Sequence, residues 1–299
     1  MVRRQPGPVL TPTLHAGVLG SPIRHSLSPT LHRAGYAAAG LTDWEYTAHE
    51  VDEGGLAPFV AGLDVMWRGL SLTMPLKVAA FDIADEVSEL ARRAGAINTL
   101  VRTDTGWSGD NTDVHGIVAA LREAGVSEPR SATIVGAGAT ARSALLALDE
   151  LGVREDVHIA ARDEAKAAAL IDSVPDLGVP LDVTIDLAGW WVENWPPVDV
   201  VISTVPGGAA NDRVAGALAG VRPDGMQGTT LLDVVYADWP TPLARAAGER
   251  GATVVSGIEM LVHQAARQFE LFTGEPAPVA AMQAAGRAAL GESGHTPDA

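Results

Sequence analysis

The stretch from Ser131 to Ala147, SATIVGAGATARSALLA, constrains the fold of this chain more than any other segment. Its apolar run ends at Val135, a glycine-containing turn follows, and the alanine- and leucine-rich remainder predicts a helix. A glycine turn alone is a weak signal, but its place between a strand and a helix favours a dinucleotide-binding corner over an ordinary turn.

Three features of this glycine turn suit it to phosphate binding. Gly136 allows the tight turn, Gly138 lets the backbone approach a pyrophosphate, and the small Ala141 lets the helix pack closely on the strand. The unpaired N–H groups at the start of the helix would face the phosphates. We therefore predict cofactor contacts from Gly136, Ala137, Gly138, Ala139, Thr140 and Ala141.

Length and composition limit the class of protein. The 299 residues, 47% of them hydrophobic, suffice for one large or two ordinary domains with a full core. A formal charge of −16 argues against nucleic acid or an anionic membrane as a partner. The chain has no cysteine, which excludes disulfides and thiolate metal sites, and we expect no metal. No apolar run predicts a signal peptide or a membrane span, so we expect a cytoplasmic protein. We expect it to be a monomer or a homodimer.

A polar turn, GSPIRHSLSP, follows the first predicted strand. Pro29 suits a first helical position, with Ser28 as the N-cap and a helix from Thr30. Capping alone would explain Ser28, but Ser26 and His25 are crowded into the same turn. Polar side chains concentrated at a strand-to-helix corner favour a binding site.

A lysine follows the third predicted strand, which ends at Thr73. Pro75 begins the next helix, so Lys77 falls in its first turn, where the positive end of the helix dipole disfavours an ammonium group. Most lysines are solvated surface residues, but one placed against the dipole is suited to act as a base. Lys77 is therefore a candidate catalytic residue.

Two polar segments lie between this lysine and the glycine turn, GAINT at 95–99 and GDNTDVHG at 109–116. Asn, Thr and Asp at such density are typical of turns whose side chains bond to the backbone. The second segment precedes a helix, predicted from Val114, that leads into the nucleotide domain. Asp113 therefore lies where two domains should meet, and clefts between domains bind small ligands.

The second strand of the nucleotide domain ends in Ala161-Arg162-Asp163. An acidic residue near this strand end binds the ribose 2′-OH of NAD, whereas an arginine accommodates the 2′-phosphate of NADP. Arg162 favours NADP, and Asp163 keeps NAD possible.

The rest of the chain alternates strands and helices. Further strands are predicted over 181–185, 198–203, 230–235 and 253–256, and this βαβ alternation predicts a parallel, doubly wound sheet. Two helices, 258–273 and 278–290, close the chain. At helical spacing the first carries a stripe that we assign to the core, Met260, Leu261, Ala265, Gln268, Phe269 and Phe272.

Seven segments resemble, in the same order and with similar spacing, the shikimate dehydrogenase family. They are GSPIRHSLSPTLH at 20–32, GLSLTMPLK at 69–77, GAINT, GDNTDVHG, the glycine turn, DVVYADWPTPL at 233–243 and GIEMLVHQAARQFELFTG at 257–274. The resemblance covers nearly the whole chain. It implies an α/β fold in which an N-terminal substrate domain, completed by the C-terminal helices, surrounds an inserted Rossmann-type dinucleotide-binding domain. The domain boundaries we expect are 12–113 with 257–290, and 114–256.

The resemblance also implies roles for individual residues. Ser26 and Ser28 would hold the substrate carboxylate, and Lys77 and Asp113 would be the catalytic pair. The other substrate contacts would come from Thr73, Asn98, Asp113, Tyr236 and Gln264. Beyond the glycine turn, the cofactor would contact Arg162, Asp163, Thr204 and Gly257.

The chain departs from the family pattern at four positions. Ser71 stands where the family usually has Asn, a change on the substrate side. Ala161 and Asp163 replace the Asn and Thr of an Asn-Arg-Thr cofactor segment. Ala141 holds the small-residue position of a turn that often reads Gly-Ala-Gly-Gly.

The implied activity is the NADP-dependent, reversible reduction of 3-dehydroshikimate to shikimate, a step toward aromatic amino acids. An NAD-dependent quinate or quinate/shikimate dehydrogenase is an alternative, as is a catalytically silent nucleotide-binding regulator on the same scaffold. A two-domain folate dehydrogenase also uses a lysine, but the serine turn suits a small carboxylate better. The expected partners are a small-molecule substrate and NADP.

Overall fold

The computed structural model describes residues 13–174, 177–184 and 198–291. Residue 12 of the predicted substrate domain and residue 185 of a predicted strand lie outside the described residues. Within them, the strands form two six-stranded sheets flanked by helices.

The first sheet is mixed and has the spatial order β2-β1-β3-β5-β6-β4. Its strands are β1 (Leu14–Gly20), β2 (Trp44–Glu50), β3 (Trp67–Leu72), β4 (Glu86–Val87), β5 (Thr99–Arg102) and β6 (Trp107–Asp110). β1 is parallel to both β2 and β3, whereas β5 is antiparallel to β3 and β6. β5 and β6 thus form a hairpin around residue 104.

The second sheet is parallel throughout and has the order β9-β8-β7-β10-β11-β12. Its strands are β7 (Ser131–Val135), β8 (Asp156–Ala160), β9 (Leu181–Thr184), β10 (Val200–Ser203), β11 (Thr230–Asp233) and β12 (Thr253–Ser256). This is the strand order of a Rossmann fold. The chain adds β8 and β9 on one side of β7 and then returns to add β10, β11 and β12 on the other side, so the switch point lies between β7 and β10. Ligands of such sheets bind at that crevice, at the carboxyl ends of the strands.

Eleven α-helices are assigned within the described residues. They are α1 (Ser28–Ala39), α2 (Glu53–Ala61), α3 (Leu76–Ala79), α4 (Glu89–Ala94), α5 (Asp113–Glu123), α6 (Ala139–Leu151), α7 (Glu164–Asp172), α8 (Ala209–Ala217), α9 (Pro242–Gly248), α10 (Gly257–Thr273) and α11 (Val279–Ala289). The prediction that Ser28 caps the first helix is wrong. α1 already includes Ser28, and Leu27 occupies the cap position without a side-chain hydrogen bond.

The last two helices return to the first sheet. Phe269 and Phe272 of α10 pack into a core with Ala16, Tyr36 and Tyr46 from the first part of the chain. α11 packs on α1 and α10. This confirms that the C-terminal helices complete the N-terminal fold, because α10 and α11 pack their apolar faces against residues of the first sheet and of α1. The placement of the two sheets supports the domain boundaries predicted above, which stay a prediction.

Candidate active site

Lys77 and Asp113 form an ion pair at the start of two helices. Lys77 lies on the short α3, Asp113 is the first residue of α5, and Lys77 Nζ is 2.5 Å from Asp113 Oδ2. The lysine side chain is 22% exposed and the aspartate side chain 4%. The ammonium can therefore reach a ligand, while the carboxylate is shielded from bulk water.

Neighbouring asparagines hold the Asp113 carboxylate and backbone. Asn98 Nδ2 donates to Asp113 Oδ1 over 2.8 Å, and Asp113 N–H donates to Asn111 Oδ1 over 3.0 Å. Asn98 Oδ1 in turn accepts from the backbone N–H of Thr112, which fixes the direction of the Asn98 amide. Each Asp113 oxygen thus has a defined donor.

The GAINT segment, which carries Asn98, also holds Lys77. The backbone N–H of Ile97 donates to the carbonyl oxygen of Lys77, and the N–H of Leu72 donates to the carbonyl oxygen of Asn98. Residues 97 and 98 therefore connect α3, β3 and α5, so the GAINT segment sets the relative position of the two charged side chains.

The predicted carboxylate-binding turn lies at the end of β1. Ser28 is buried, and its N–H approaches Ser26 Oγ at 3.4 Å, so this hydroxyl already faces the start of α1. Thr73, which follows β3, donates its N–H to the carbonyl oxygen of Leu19 in the neighbouring strand. Thr73 and the serine turn therefore stand at the ends of adjacent strands.

α10 brings Gln264 against α5 at close range. A Cβ atom at Gly116, one turn beyond Asp113, would lie 2.6 Å from the carbonyl oxygen of Met260 and 3.1 Å from Cβ of Gln264. Only glycine permits this approach of the two helices. Gln264 thus lies beside the first turns of α5.

Tyr236 and Gly257 come from the carboxyl edge of the second sheet. Tyr236 packs in the same apolar cluster as Leu27, the residue between the two serines, and burial raises the pKa of its phenol. Gly257 begins α10 against the backbone of Val234. Tyr236 therefore meets the elements of the first sheet, whereas Gly257 is enclosed at a helix start.

A cleft of about 490 Å³ opens at the switch point of the second sheet. Its lining combines the glycine turn, the end of β8 and the residues after β10, namely Gly136, Ala137, Gly138, Ala161, Arg162, Asp163, Lys166, Thr204, Val205 and Pro206. Its size and place suit a nucleotide. Thr140 and Ala139, in the first turn of α6, are not among the lining residues, and Ala141 is buried in the core.

The glycine turn has the shape that close approach to a phosphate requires. Gly136 has a φ of +113°, and a side chain there would collide with Oγ1 of Thr204, which donates to the carbonyl oxygen of Val135. No atom lies within 4 Å of where a Cβ of Gly138 would be. The cradle thus fits a pyrophosphate.

Two cations stand at the far end of this cleft. Arg162 and Lys166 both line it, four residues apart at the start of α7. Asp163 lies between them, and its Oδ1 accepts the N–H of Lys166 as the helix N-cap. Sequence reasoning missed Lys166, which lies in the first turn of α7 and lines the cleft together with Arg162, the residue before the N-cap.

The two sites lie next to each other. Arg93 of α4 forms a 2.8 Å ion pair with Asp149 of α6, and Arg142 in the first half of α6 contacts Gly95 of the GAINT segment. The helix that follows the glycine turn therefore touches the loop that holds Lys77 and Asp113. In the described part of the chain, no group of three or more His, Asp or Glu side chains is placed to hold a metal, and no helix is long and apolar enough to cross a membrane.

A parallel sheet with a glycine turn at its switch point, beside a lysine–aspartate pair, is the arrangement of a dinucleotide-dependent oxidoreductase. Family models narrow this class: the shikimate dehydrogenase substrate binding domain matches residues 18–100, and the shikimate 5′-dehydrogenase C-terminal domain matches residues 257–285. The shikimate dehydrogenase (NADP(+)) of Anaeromyxobacter sp. (strain Fw109-5) is 38% identical over 280 residues, which cover 90% of this chain and 94% of that protein. The chain belongs to the shikimate dehydrogenase family.

Solved structures agree with this assignment. Shikimate dehydrogenase from Mycobacterium tuberculosis is 42% identical, with a TM-score of 0.81 over 92% of this chain and 99% of that one. Shikimate 5-dehydrogenase from Thermus thermophilus, in complex with NADP(H) and shikimate, is 29% identical, with a TM-score of 0.78 over 93% of this chain and 100% of that one. The predicted fold class and family are confirmed.

Proposed function

We propose that this protein catalyses the reversible, NADP-dependent reduction of 3-dehydroshikimate to shikimate. The observation that carries the proposal is the 2.5 Å Lys77–Asp113 pair, half-enclosed beside a nucleotide-sized cleft. A relative of this fold holds NADP(H) and shikimate together.

Lys77 would move the proton that accompanies the hydride. When the carbonyl is reduced, its oxygen gains negative charge and takes a proton from the Lys77 ammonium; in the reverse direction the amine accepts the hydroxyl proton. NADP, when bound, supplies or accepts the hydride at its nicotinamide ring. One Nζ hydrogen is directed to Asp113, which leaves two for the substrate oxygen.

Asp113 would orient both partners of this transfer. Its Oδ2 holds the ammonium, and Asn98 holds its Oδ1, so the carboxylate cannot rotate away from Lys77. A substrate hydroxyl beside the pair would find an ionic acceptor in Asp113, whose carboxylate the buried Asn98 amide holds in place. Such fixed geometry lowers the entropic cost of reaching the transition state.

The remaining substrate contacts would come from the elements around the pair. Ser26 and Ser28 would bind the carboxylate, Thr73 and Gln264 the hydroxyls and ring edges, and Tyr236 would close the site from the second sheet. Because burial raises the pKa of Tyr236, its hydroxyl stays protonated and can donate.

The cleft in the second sheet would hold the cofactor. The turn at Gly136 and Gly138 would receive the pyrophosphate, and Arg162 with Lys166 would neutralise the 2′-phosphate. The Asp163 carboxylate accepts from the backbone of α7, so it has a role in the helix that does not require NAD.

Steady-state assays of the purified protein test this function. The absorbance of the reduced nicotinamide is followed with shikimate or quinate and with NADP or NAD. We expect the highest kcat/KM with shikimate and NADP. Faster turnover of quinate with NAD would favour the alternative dehydrogenase, and cofactor binding without turnover would favour the silent regulator.

A further inference from the structure

Gln268, to which the proposed reaction gives no role so far, lies at the centre of a buried hydrogen-bond chain. It belongs to α10, in the stripe assigned to the core, and is 1% exposed. A buried side-chain amide is costly unless its polar atoms are bonded. Its partners therefore indicate what it does.

On one side Gln268 connects to Ser71 and, through it, to Tyr46. Ser71 Oγ donates to Gln268 Oε1 over 2.7 Å, and the Tyr46 hydroxyl donates to Ser71 Oγ over 2.6 Å. Ser28, on α1, lies close enough to the Tyr46 phenol to lower its pKa against the effect of burial. The hydrogen-bond chain thus begins at Tyr46, next to a residue proposed to bind the substrate carboxylate.

On the other side Gln268 gives both amide hydrogens to one loop. Its Nε2 is 2.9 Å from Thr99 Oγ1 and 3.2 Å from the carbonyl oxygen of Asn98. Thr99 then directs its own hydrogen to Asn98 Oδ1 over 2.8 Å. Asn98 Nδ2 donates to Asp113 Oδ1, so an unbroken line of hydrogen bonds joins Tyr46 to the Lys77–Asp113 pair.

Ser71 and Gln268 fit each other in side-chain length. The family pattern has asparagine at position 71, and the serine side chain ends one bond earlier. Because Gln268 Oε1 lies 2.7 Å beyond Ser71 Oγ, an asparagine amide at position 71 would meet the glutamine amide. The short side chain on β3 and the long one on α10 are a matched pair.

We propose that Gln268 is a positioning residue for the reaction. With Ser71 it holds the loop that carries Asn98. Through Asn98 it sets the place of the Asp113 carboxylate against Lys77. This inference rests on the proposed function and adds a residue that touches neither substrate nor cofactor.

The first test is Gln268→Met, which keeps the length of the side chain and removes its amide. We expect kcat with shikimate to fall about tenfold, the loss that one hydrogen bond represents. The KM for NADP should stay within twofold of the parent value, because this series of hydrogen-bonded residues does not reach the cofactor cleft. The matched control is Gln283→Met on α11, where the amide bonds Glu123 at the surface, and its kinetics should equal those of the parent.

The second test asks for rescue. Gln268→Ala should lose as much activity as the methionine variant, and S71N/Q268A should recover at least fivefold, because the asparagine amide enters the vacated space. A merely structural role of Gln268 would lower the urea midpoint of Q268A and leave kcat per folded molecule at the parent value. If Q268M does not fold, the comparison of Q268A with S71N/Q268A tests the role of Gln268 instead.

Two outcomes would overturn the inference alone: a folded Q268M with kcat/KM within twofold of an active parent, or no recovery in the double variant. Calorimetric titration with shikimate separates these from a failure of the proposed function. A parent protein that neither binds nor oxidises shikimate overturns that function, and the role of Gln268 with it.

Discussion

Lys77 Nζ lies 2.5 Å from Asp113 Oδ2, and one loop holds both residues. Ile97 bonds the backbone of Lys77, and Asn98 bonds the carboxylate of Asp113. Neither α3 nor α5 alone sets the distance between Lys77 and Asp113. The GAINT loop sets it, because this loop is hydrogen-bonded to both residues.

Replacing Lys77 with alanine tests the proton transfer. General acid–base assistance is worth roughly 10²–10⁴-fold, so kcat should fall by at least about 10²-fold. The Kd of NADP should be unchanged, because Lys77 does not line the cofactor cleft. Stopped-flow and equilibrium fluorescence measure the two quantities, and full turnover in the variant would refute the role.

Lys166, the only other lysine of the chain, is the matched control. Lys166→Ala should raise the KM for NADP severalfold and leave kcat at saturating NADP close to the parent value, because Lys166 lines the cleft but not the Lys77–Asp113 site. The two lysine variants therefore should show opposite kinetic patterns. If both variants lost kcat, or both raised only the KM for NADP, the separation of the Lys77–Asp113 site from the cofactor cleft would be contradicted.

Asp163→Thr should raise the preference for NADP over NAD by severalfold. The substitution removes a negative charge beside Arg162 and Lys166 while a hydroxyl keeps the N-cap of α7. Arg162→Ala should change the preference in the opposite direction. Ratios of kcat/KM for the two cofactors measure the effect, and an unchanged ratio in both variants would place the 2′-phosphate elsewhere.

Gly116→Ala should destabilise the protein and slow it. The new Cβ would lie 2.6 Å from the carbonyl oxygen of Met260, so α5 and α10 must separate, at a cost of about 1–3 kcal/mol. Urea unfolding measures the loss. Gly54→Ala on α2 is the control, because its Cβ meets only the Asp52 carboxylate at 3.8 Å; stability there should rise or stay equal.

His32 should make stability depend on pH. Burial lowers its pKa from 6.5 to about 3, with Gln268 partly opposing the shift, and its ring stacks on Tyr46. The folded state therefore excludes a proton that the unfolded chain binds. The contribution of the neutral His32 ring to the free energy of unfolding is fully present above pH 6.5. It is lost as the pH falls toward 3, by about 1.4 kcal/mol per pH unit.

Urea midpoints between about pH 4 and 7 check this dependence. His32→Phe should flatten the slope relative to the parent protein, because the ring no longer takes up a proton on unfolding. The exposed His25 provides the comparison, and His25→Gln should keep the parent slope. Equal slopes for H32F and the parent would show that other groups cause the pH dependence.

The sequence predicted the elements whose signals are local. The glycine turn indicated β7, the corner and α6, and the alternation of strands and helices indicated the parallel sheet with its switch point. Local signals also placed Lys77 in a first turn and Asp113 at a helix start. Their mutual approach was implied only by the family resemblance, because no spacing along the chain determines it.

Two features escaped sequence reasoning for physical reasons. Ser28 was expected to cap α1, but the helix begins earlier, because Leu27 already has helical dihedrals and leaves Ser28 inside the first turn. Gln268 was assigned to the core, and it is buried, but its hydrogen bonds reach residues that lie 169 to 197 positions earlier. Such partners become visible only when the fold brings distant strands beneath α10.

α10 covers the first sheet from the other end of the chain, and this affects the order of folding during synthesis. When the ribosome has made β1 to β6, Tyr46 and Ser71 still lack the glutamine and phenylalanines that cover them. The second sheet draws its six strands from one continuous stretch and can close while the chain is still growing. We therefore expect the part of the protein that is translated first to reach its native state last.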